Sequence, residues 1–370
     1  MNIPFLGGMS AQQFIRDYWQ KKPLLIRGAF PGFGDMLTPN ELAGLACEED
    51  AQSRLVICSR GKWKVENGPF DEERFAHLPK KDWSLLVQGM NHFLPEADAL
   101  LHGFDFIPRA RLDDLMVSFA PDGGGVGPHF DSYDVFLLQG YGKRVWRVSS
   151  QQDYELVPDA PLRILKHFET EQEWTLEPGD MLYLPPRLAH WGIAVGECMT
   201  WSVGFRAPSA QELATQFLVY LQDHLRAEGM YADPDLVMQA HPAEIGAQML
   251  GKVGDMLRAI RWEERDVARF LGSYLTEPKP HVVFERPRRI SQDKFRERLQ
   301  AKGVHLDLKS QMLFHGGTVF MNGEPVDVGD AALPHMVALA DRRVLAPETE
   351  LPADALGLLH QWYEAGYLEL

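Results

Sequence analysis

Gly123-Gly-Gly-Val-Gly-Pro128-His129-Phe-Asp131-Ser-Tyr133-Asp-Val-Phe-Leu-Leu138-Gln-Gly140-Tyr-Gly142-Lys143-Arg144-Val-Trp146 is the stretch on which the fold turns. Its first glycines mark a flexible loop feeding a strand, because Phe130 to Leu138 is rich in aromatic and β-branched residues and lies between glycine clusters. Side chains alternate between the two faces of a strand, so His129, Asp131 and Tyr133 are expected on one face. A neutral imidazole and a carboxylate two residues apart, pointing the same way, can take neighbouring positions on one octahedral metal. Gly140-Tyr-Gly142 reads as a tight turn, after which Lys143 to Val148 forms a second strand paired with the first.

Chance supplies a few His-x-acid triplets in a chain with 13 His and 52 Asp and Glu, and His167-Phe-Glu169 and His305-Leu-Asp307 are two more. Context separates the first triplet from these. Downstream of it lies Glu177-Pro-Gly-Asp180-Met-Leu-Tyr-Leu-Pro185-Pro-Arg-Leu-Ala-His190. There a Gly-Asp turn opens a short apolar strand, Pro185 and Pro186 end it, and His190 begins the next segment as the candidate third ligand. Two imidazoles and one carboxylate make the facial triad of non-haem Fe(II) oxygenases. A lone histidine beside an apolar strand is more often a satisfied core or surface residue, but the two motifs together outweigh that reading.

At 370 residues and 45% hydrophobic, the chain can bury a large core and is long enough for two or three domains. Cys47, Cys58 and Cys198 are far apart with no Cys-x-x-Cys spacing, which points to reduced thiols in a cytoplasmic protein. The N-terminus has no charged segment followed by an apolar run, and no apolar run approaches the ~18 residues of a membrane span, so no membrane association is expected. A net charge of -15 disfavours a phosphate backbone as direct partner and favours a basic protein.

Residues 10–22 read as an amphipathic helix with Phe14, Tyr18 and Trp19 at helical spacing, followed by a strand from Pro23 to Arg27. Thr38-Pro39-Asn40-Glu41 opens a second helix through a capping box. Arg111 to Phe119 reads as a strand with Asp114, Met116 and Ser118 on one face. That face either lines a pocket for a long cationic side chain or simply begins with a solvated Asp114. Of the cations near the metal motif, Arg144 is the choice for holding a carboxylate ligand through two parallel hydrogen bonds, with Lys143 and Arg206 as alternatives.

Beyond Pro208 the pattern turns helical. Ser209-Ala-Gln-Glu212 is a second capping box, opening a helix with Leu213, Phe217, Tyr220, Leu221 and Leu225 in its apolar stripe, and Pro242 to Trp262 and Glu263 to Leu275 supply two more helices. A barrel closed on its own core leaves these helices needing another partner, which points to a homodimer. After a linker at Pro278-Lys-Pro280 come a helix to Lys302, strands at Gln311 to Phe314 and Thr318 to Met321, and helices from Leu333 to Arg343 and Asp354 to Ala365. This order suits a winged-helix-like module, yet no basic recognition helix stands out, so docking is favoured over DNA binding.

The pattern His129-x-Asp131-x-Tyr133-Asp-Val-Phe136, with the glycine loop before it and Gly-Lys-Arg144-x-Trp146, Pro-Gly-Asp180, His190 and Trp201-Ser202-Val-Gly-Phe-Arg-Ala-Pro208 after it, closely resembles the bacterial ribosomal oxygenases. These are Jumonji-C proteins of the cupin superfamily that hydroxylate an arginine of a large-subunit ribosomal protein. The resemblance includes Tyr18-Trp19-x-Lys21-Lys-Pro23 and extends over the whole chain, most strongly between residues 110 and 208.

The resemblance implies a mixed α and β architecture: a double-stranded β-helix of the cupin, Jumonji-C jelly-roll type over residues 1–208, a helical dimerisation region over 209–277 and a winged-helix-like domain over 278–370. It implies His129, Asp131 and His190 as ligands of Fe(II), Arg144 as the anchor of the cosubstrate 2-oxoglutarate, and Asp114, Met116, Tyr133 and Ser202 around the substrate arginine. Many Jumonji-C enzymes carry Lys where Arg144 stands. The implied activity is hydroxylation at the β carbon of an arginine of ribosomal protein L-sixteen, of the 50S subunit, by a cytoplasmic homodimer. Histidine hydroxylation of another ribosomal protein and demethylation are alternatives within the family, and a binding-only cupin is the rival outside it. Asp114 discriminates among them, since a carboxylate matches a guanidinium better than a neutral imidazole.

Overall fold

Phe14, Phe104, Phe136, Tyr183 and Phe205 are fully buried and touch one another, with Phe14 and Tyr183 edge to face at 5.0 Å and Phe104 and Phe136 at 4.8 Å. This aromatic nest fixes the N-terminal segment to a nine-stranded antiparallel sheet in the computed structural model, which describes residues 3–34 and 36–370. Its strands are β1 (Leu24–Ile26), β2 (Ser53–Ser59), β3 (Lys62–Asn67), β4 (Trp83–Val87), β5 (Leu112–Ala120), β6 (Val135–Ser149), β7 (Gln172–Leu176), β8 (Met181–Leu184) and β9 (Ala189–Phe205). They run in the order β1-β8-β6-β9-β5-β4-β2-β3, with β7 also on β6. The first half of β6 lies between β8 and the end of β9, and its second half between β7 and the start of β9. Each long strand therefore serves both walls of a double-stranded β-helix.

Within the barrel domain three local expectations are corrected. Phe130 to Asp134 is not a strand, which begins only at Val135. That polar run has no neighbouring strand to bond along its length. Its backbone is served by an isolated bridge between His129 and His190 and by single bonds from Arg187 N to Asp131 O (2.7 Å) and from Phe205 N to Asp134 O (3.1 Å).

Gly140-Tyr-Gly142 is not a hairpin turn. β6 runs straight through it with two register shifts, so Lys143 to Val148 pairs with β9 and β7 rather than with its own first half. Gly142 has φ +61°, and a Cβ there would lie 1.9 Å from Glu197 O. The glycines let the strand bulge past β9 without reversing. The N-terminal helix α1 (Ala11–Asp17) stops short of residue 22, because the chain then turns to lay Trp19 on Tyr183 and Phe205.

The helices α2 (Pro39–Leu45), α3 (Glu72–Ala76) and α4 (Pro95–His102) pack outside the sheet, and α2 starts with the expected Thr38–Glu41 capping box. After β9 come α5 (Ala210–His224), opened by the Ser209–Glu212 capping box, α6 (Ala247–Arg258) and α7 (Glu264–Thr276). Residues 242–246 precede α6 without regular structure, so that helix is shorter than its sequence pattern suggested.

The C-terminal part has its own core, centred on Phe295, Leu299, Met336, Leu359 and Trp362. It comprises α8 (Gln292–Lys302), β10 (Val304–Leu306), a three-stranded sheet of β11 (Met312–His315), β12 (Thr318–Met321) and β13 (Glu324–Asp327), then α9 (Leu333–Arg342), β14 (Val344–Leu345), α10 (Ala353–Ala365) and β15 (Leu368–Glu369). Arg343 reaches Asp98 at 3.2 Å and Lys309 reaches Asp50 at 3.2 Å, tying this module to the barrel.

Candidate metal centre and cosubstrate pocket

His129 and His190 are held by backbone bonds before their side chains are considered, with His129 N donating to His190 O at 2.9 Å and His190 N to His129 O at 2.8 Å. Each imidazole Nδ1 faces a carbonyl, that of Gly127 for His129 and that of Leu188 for His190, both at 2.9 Å. A carbonyl can only accept, so the ring proton sits on Nδ1 and the Nε2 lone pair is free. Both Nε2 atoms face Asp131, at 3.9 Å and 3.6 Å from Oδ2, which is too far for hydrogen bonds. One ligand atom from each residue lies within 4.8 Å of the others, so the three could hold a metal ion between them. Burial, and then the neighbouring His129, push His190 down to about 4, which keeps its ring neutral and able to ligate near neutral pH. The other two His-x-acid triplets lie away from this cluster, with His167 3.9 Å from Glu155 and His305 exposed on β10.

The cluster lines a cavity of about 430 Å³ inside the barrel. Arg144, carried inward by the second half of β6, is buried against the ring of Trp146, and its Nη1 lies 3.5 Å from Ser118 Oγ. Its Nε and Nη2 have no partner. Among the described residues, every buried side-chain N or O atom without a partner belongs to a residue lining this cavity: Arg54 Nε, Ser84 Oγ, Trp146 Nε1 and the two Arg144 nitrogens. Buried donors are rarely left unbonded, and a guanidinium least of all, so the cavity is built for a polar, anionic ligand. 2-Oxoglutarate fits that donor set, with a metal at one end and a guanidinium for its far carboxylate. Lys143 pairs instead with Glu177 at 2.6 Å, and Arg206 bonds Leu275 O at 2.6 Å; neither lines the cavity.

Asp114, Met116, Tyr133 and Ser202 all line the same cavity. Asp114 and Ser202 are buried, Met116 and Ser202 are cross-strand partners, and Tyr133 stands 40% exposed at the mouth. Arg54, Ser84 and Arg163 also line the cavity and carry no signal in the sequence; the first two lie on β2 and β4, short apolar runs with no chemical motif. Lys279, within the Pro278-Lys-Pro280 linker, brings its ammonium to 3.2 Å from Asp114 Oδ2.

Residues 99–213 match the JmjC domain and residues 259–369 the ROXA-like winged helix. The chain is 38% identical over 347 residues to the ribosomal protein uL16 3-hydroxylase of Escherichia coli (strain K12), covering 93% of this chain and 90% of that protein. The chain belongs to the JmjC ribosomal oxygenases. Its fold agrees with that of E. coli YcfD, with a TM-score of 0.86, 34% identity and 98% of each chain covered. Another structure, of YcfD as a ribosomal oxygenase in complex with cobalt and 2-oxoglutarate, superposes with a TM-score of 0.84 at 35% identity and the same coverage. The ribosomal-oxygenase architecture is thus a double-stranded β-helix followed by helices and a winged-helix domain.

Proposed function

We propose that this ribosomal oxygenase is an Fe(II)- and 2-oxoglutarate-dependent enzyme that hydroxylates an arginine side chain of ribosomal protein uL16, the L-sixteen of the large subunit. The observation that carries the reading is the content of one cavity: its lining includes a His-Asp-His cluster, a buried guanidinium with two unbonded nitrogens and a buried carboxylate, Asp114. The similar E. coli protein is named for hydroxylation at position 3, which in an amino acid is the β carbon. Attack at that carbon is the outcome proposed here.

His129 and His190 through Nε2, and Asp131 through a carboxylate oxygen, would hold the iron, and Arg144 would hold the distal carboxylate of 2-oxoglutarate. With both bound, O2 is divided between succinate, formed with loss of CO2, and a hydroxyl group on the substrate. The protein's own task is placement. Asp114 pairs with the substrate guanidinium, Met116 and Tyr133 flank the aliphatic stem, and Ser202 adds a hydrogen bond. Leu137, Trp146 and Ile164 give the cavity walls that exclude water.

An acidic enzyme suits a basic ribosomal protein through electrostatic steering, and such a target places the enzyme in the cytoplasm. Among the described residues, no helix is long and apolar enough to cross a membrane. Leu218, Leu250 and Leu257 on α5 and α6 are each at least 60% exposed, which supports a homodimer closed through these helices. α8 mixes acidic and basic residues, which supports a docking role for the winged helix rather than DNA binding.

Succinate formation tests the reading. With Fe(II), 2-oxoglutarate and O2 it should rise on adding recombinant uL16 and stop under anaerobic conditions. Turnover that survives in chelator-stripped protein would exclude it.

A further inference from the structure

Lys279 stands between Pro278 and Pro280 in the segment that leads from α7 into the C-terminal module. Its ammonium lies 3.2 Å from Asp114 Oδ2 and 3.3 Å from Asp113 Oδ1. Asp113 is shared with Arg206 at 3.4 Å, and Arg206 in turn bonds Leu275 O at the end of α7. A line of charges therefore runs from the end of α7, through Asp113 and Lys279, to Asp114. Asp114 lines the barrel cavity and Lys279 does not. Asp113 lines it too, so the ammonium, outside the lining, is held by two carboxylates that both face the cavity. The flanking prolines restrict the backbone that carries the lysine.

We propose that Lys279 is a positioning residue for substrate recognition, holding the Asp114 carboxylate in place so that a guanidinium entering the cavity meets a fixed anion. The segment before the C-terminal module thereby completes the substrate pocket of the barrel. The inference rests on the reading that Asp114 pairs with the substrate arginine.

Burial drives the Asp114 carboxyl up towards its neutral form and Asp113 pushes the same way, while Lys279 and the Gly89 N–H oppose them. Burial would also lower the Lys279 ammonium, but the two carboxylates outweigh it and hold the proton on the lysine. The other titratable groups that bear on this pair are His281, on the same segment as Lys279, and His92 after β4, which both feel Lys279, and Tyr133, which feels both Asp114 and Arg54. His281 and His92 are both pushed below the ordinary histidine range, chiefly by burial, so Lys279 is the cation against Asp114 near neutral pH. Without it the carboxyl would hold its proton to higher pH, and a neutral acid makes a weaker bond to a guanidinium.

The test measures uL16 hydroxylation by Lys279→Met, Lys279→Arg, Asp114→Asn and the double variant Lys279→Met with Asp114→Asn, with a melting curve for each. Lys279→Met should raise the KM for uL16 roughly tenfold or more. Its kcat at saturating uL16 should hold, and the acid limb of its kcat/KM profile should move to higher pH. Lys279→Arg should restore both, and the Lys279→Met effect should vanish in the Asp114→Asn background. If Lys279→Met misfolds, Lys279→Gln enters the same comparisons. A wild-type KM and acid limb in Lys279→Met, or an equal penalty with Asp114 already changed, would overturn the inference while leaving the role of Asp114 standing. A wild-type KM in Asp114→Asn would overturn both.

Discussion

His129 and His190 hydrogen-bond to each other through their backbones in both directions, at 2.9 and 2.8 Å, although one precedes β6 and the other begins β9. The relative placement of the two imidazoles is therefore a property of the fold, not of the side chains. His129→Ala and Asp131→Ala should keep the fold, since both sites are only part-buried, while removing metal binding. The loss should exceed the roughly 10- to 100-fold typical of a supporting contact. Calorimetric titration with Mn(II) reads it, beside a melting curve. Retained affinity in either variant would remove that residue from the ligand set.

Arg144→Met separates binding from stability. Two of the arginine's buried nitrogens have no partner, so the side chain adds little to the ligand-free fold, and its removal should leave Tm unchanged or raised. The Kd for 2-oxoglutarate should rise roughly 100-fold, about 3 kcal/mol for lost charge-assisted bonds. A large fall in Tm with unchanged 2-oxoglutarate affinity would make Arg144 structural.

How much of this was legible in the sequence follows from what each feature depends on. The capping boxes at Thr38 and Ser209 are local, and both formed where the residues called for them. His129, Asp131 and His190 could be picked out because their motifs carry their own loop and strand signals. The bulge at Gly140-Tyr-Gly142 could not, because Gly-x-Gly reads locally as a turn and only the presence of β9 alongside decides otherwise. β13 was missed for a similar reason: Glu324 to Asp327 is a strand only because β12 is there to pair with it. Arg54, Ser84 and Lys279 reach the site from distant stretches with no chemical motif of their own.

The bulge makes its own prediction. Gly142→Ala combines φ +61° with a clash against Glu197 O and should lose about 3 kcal/mol or more. Gly196 has a similar φ of +67° but open space around its Cβ, so Gly196→Ala should lose only about 1 kcal/mol. Urea unfolding compares them. Equal losses would mean that the close approach of β6 to β9 does not matter.

His92 sits beside the C-terminal module and is pushed down to about 4, first by burial and then by Lys279, His281, Lys309 and Arg343. The unfolded chain takes up this proton near the ordinary histidine value while the folded chain does not. Stability is therefore complete above about pH 6.5 and falls as the pH drops towards about 4, by about 2 kcal/mol after allowing for partial exposure. His92→Gln should flatten that part of the stability profile. An unchanged slope in His92→Gln would show that other groups carry it.

Hydroxylation of one arginine of uL16 is read out by fragment-ion mass spectrometry of recombinant uL16 after incubation with the enzyme, Fe(II), 2-oxoglutarate and O2. A gain of one oxygen is expected on the β carbon of a single arginine, absent with the Asp131→Ala enzyme. An oxygen found on histidine instead, the loss of a methyl group, or an unmodified uL16 would contradict it.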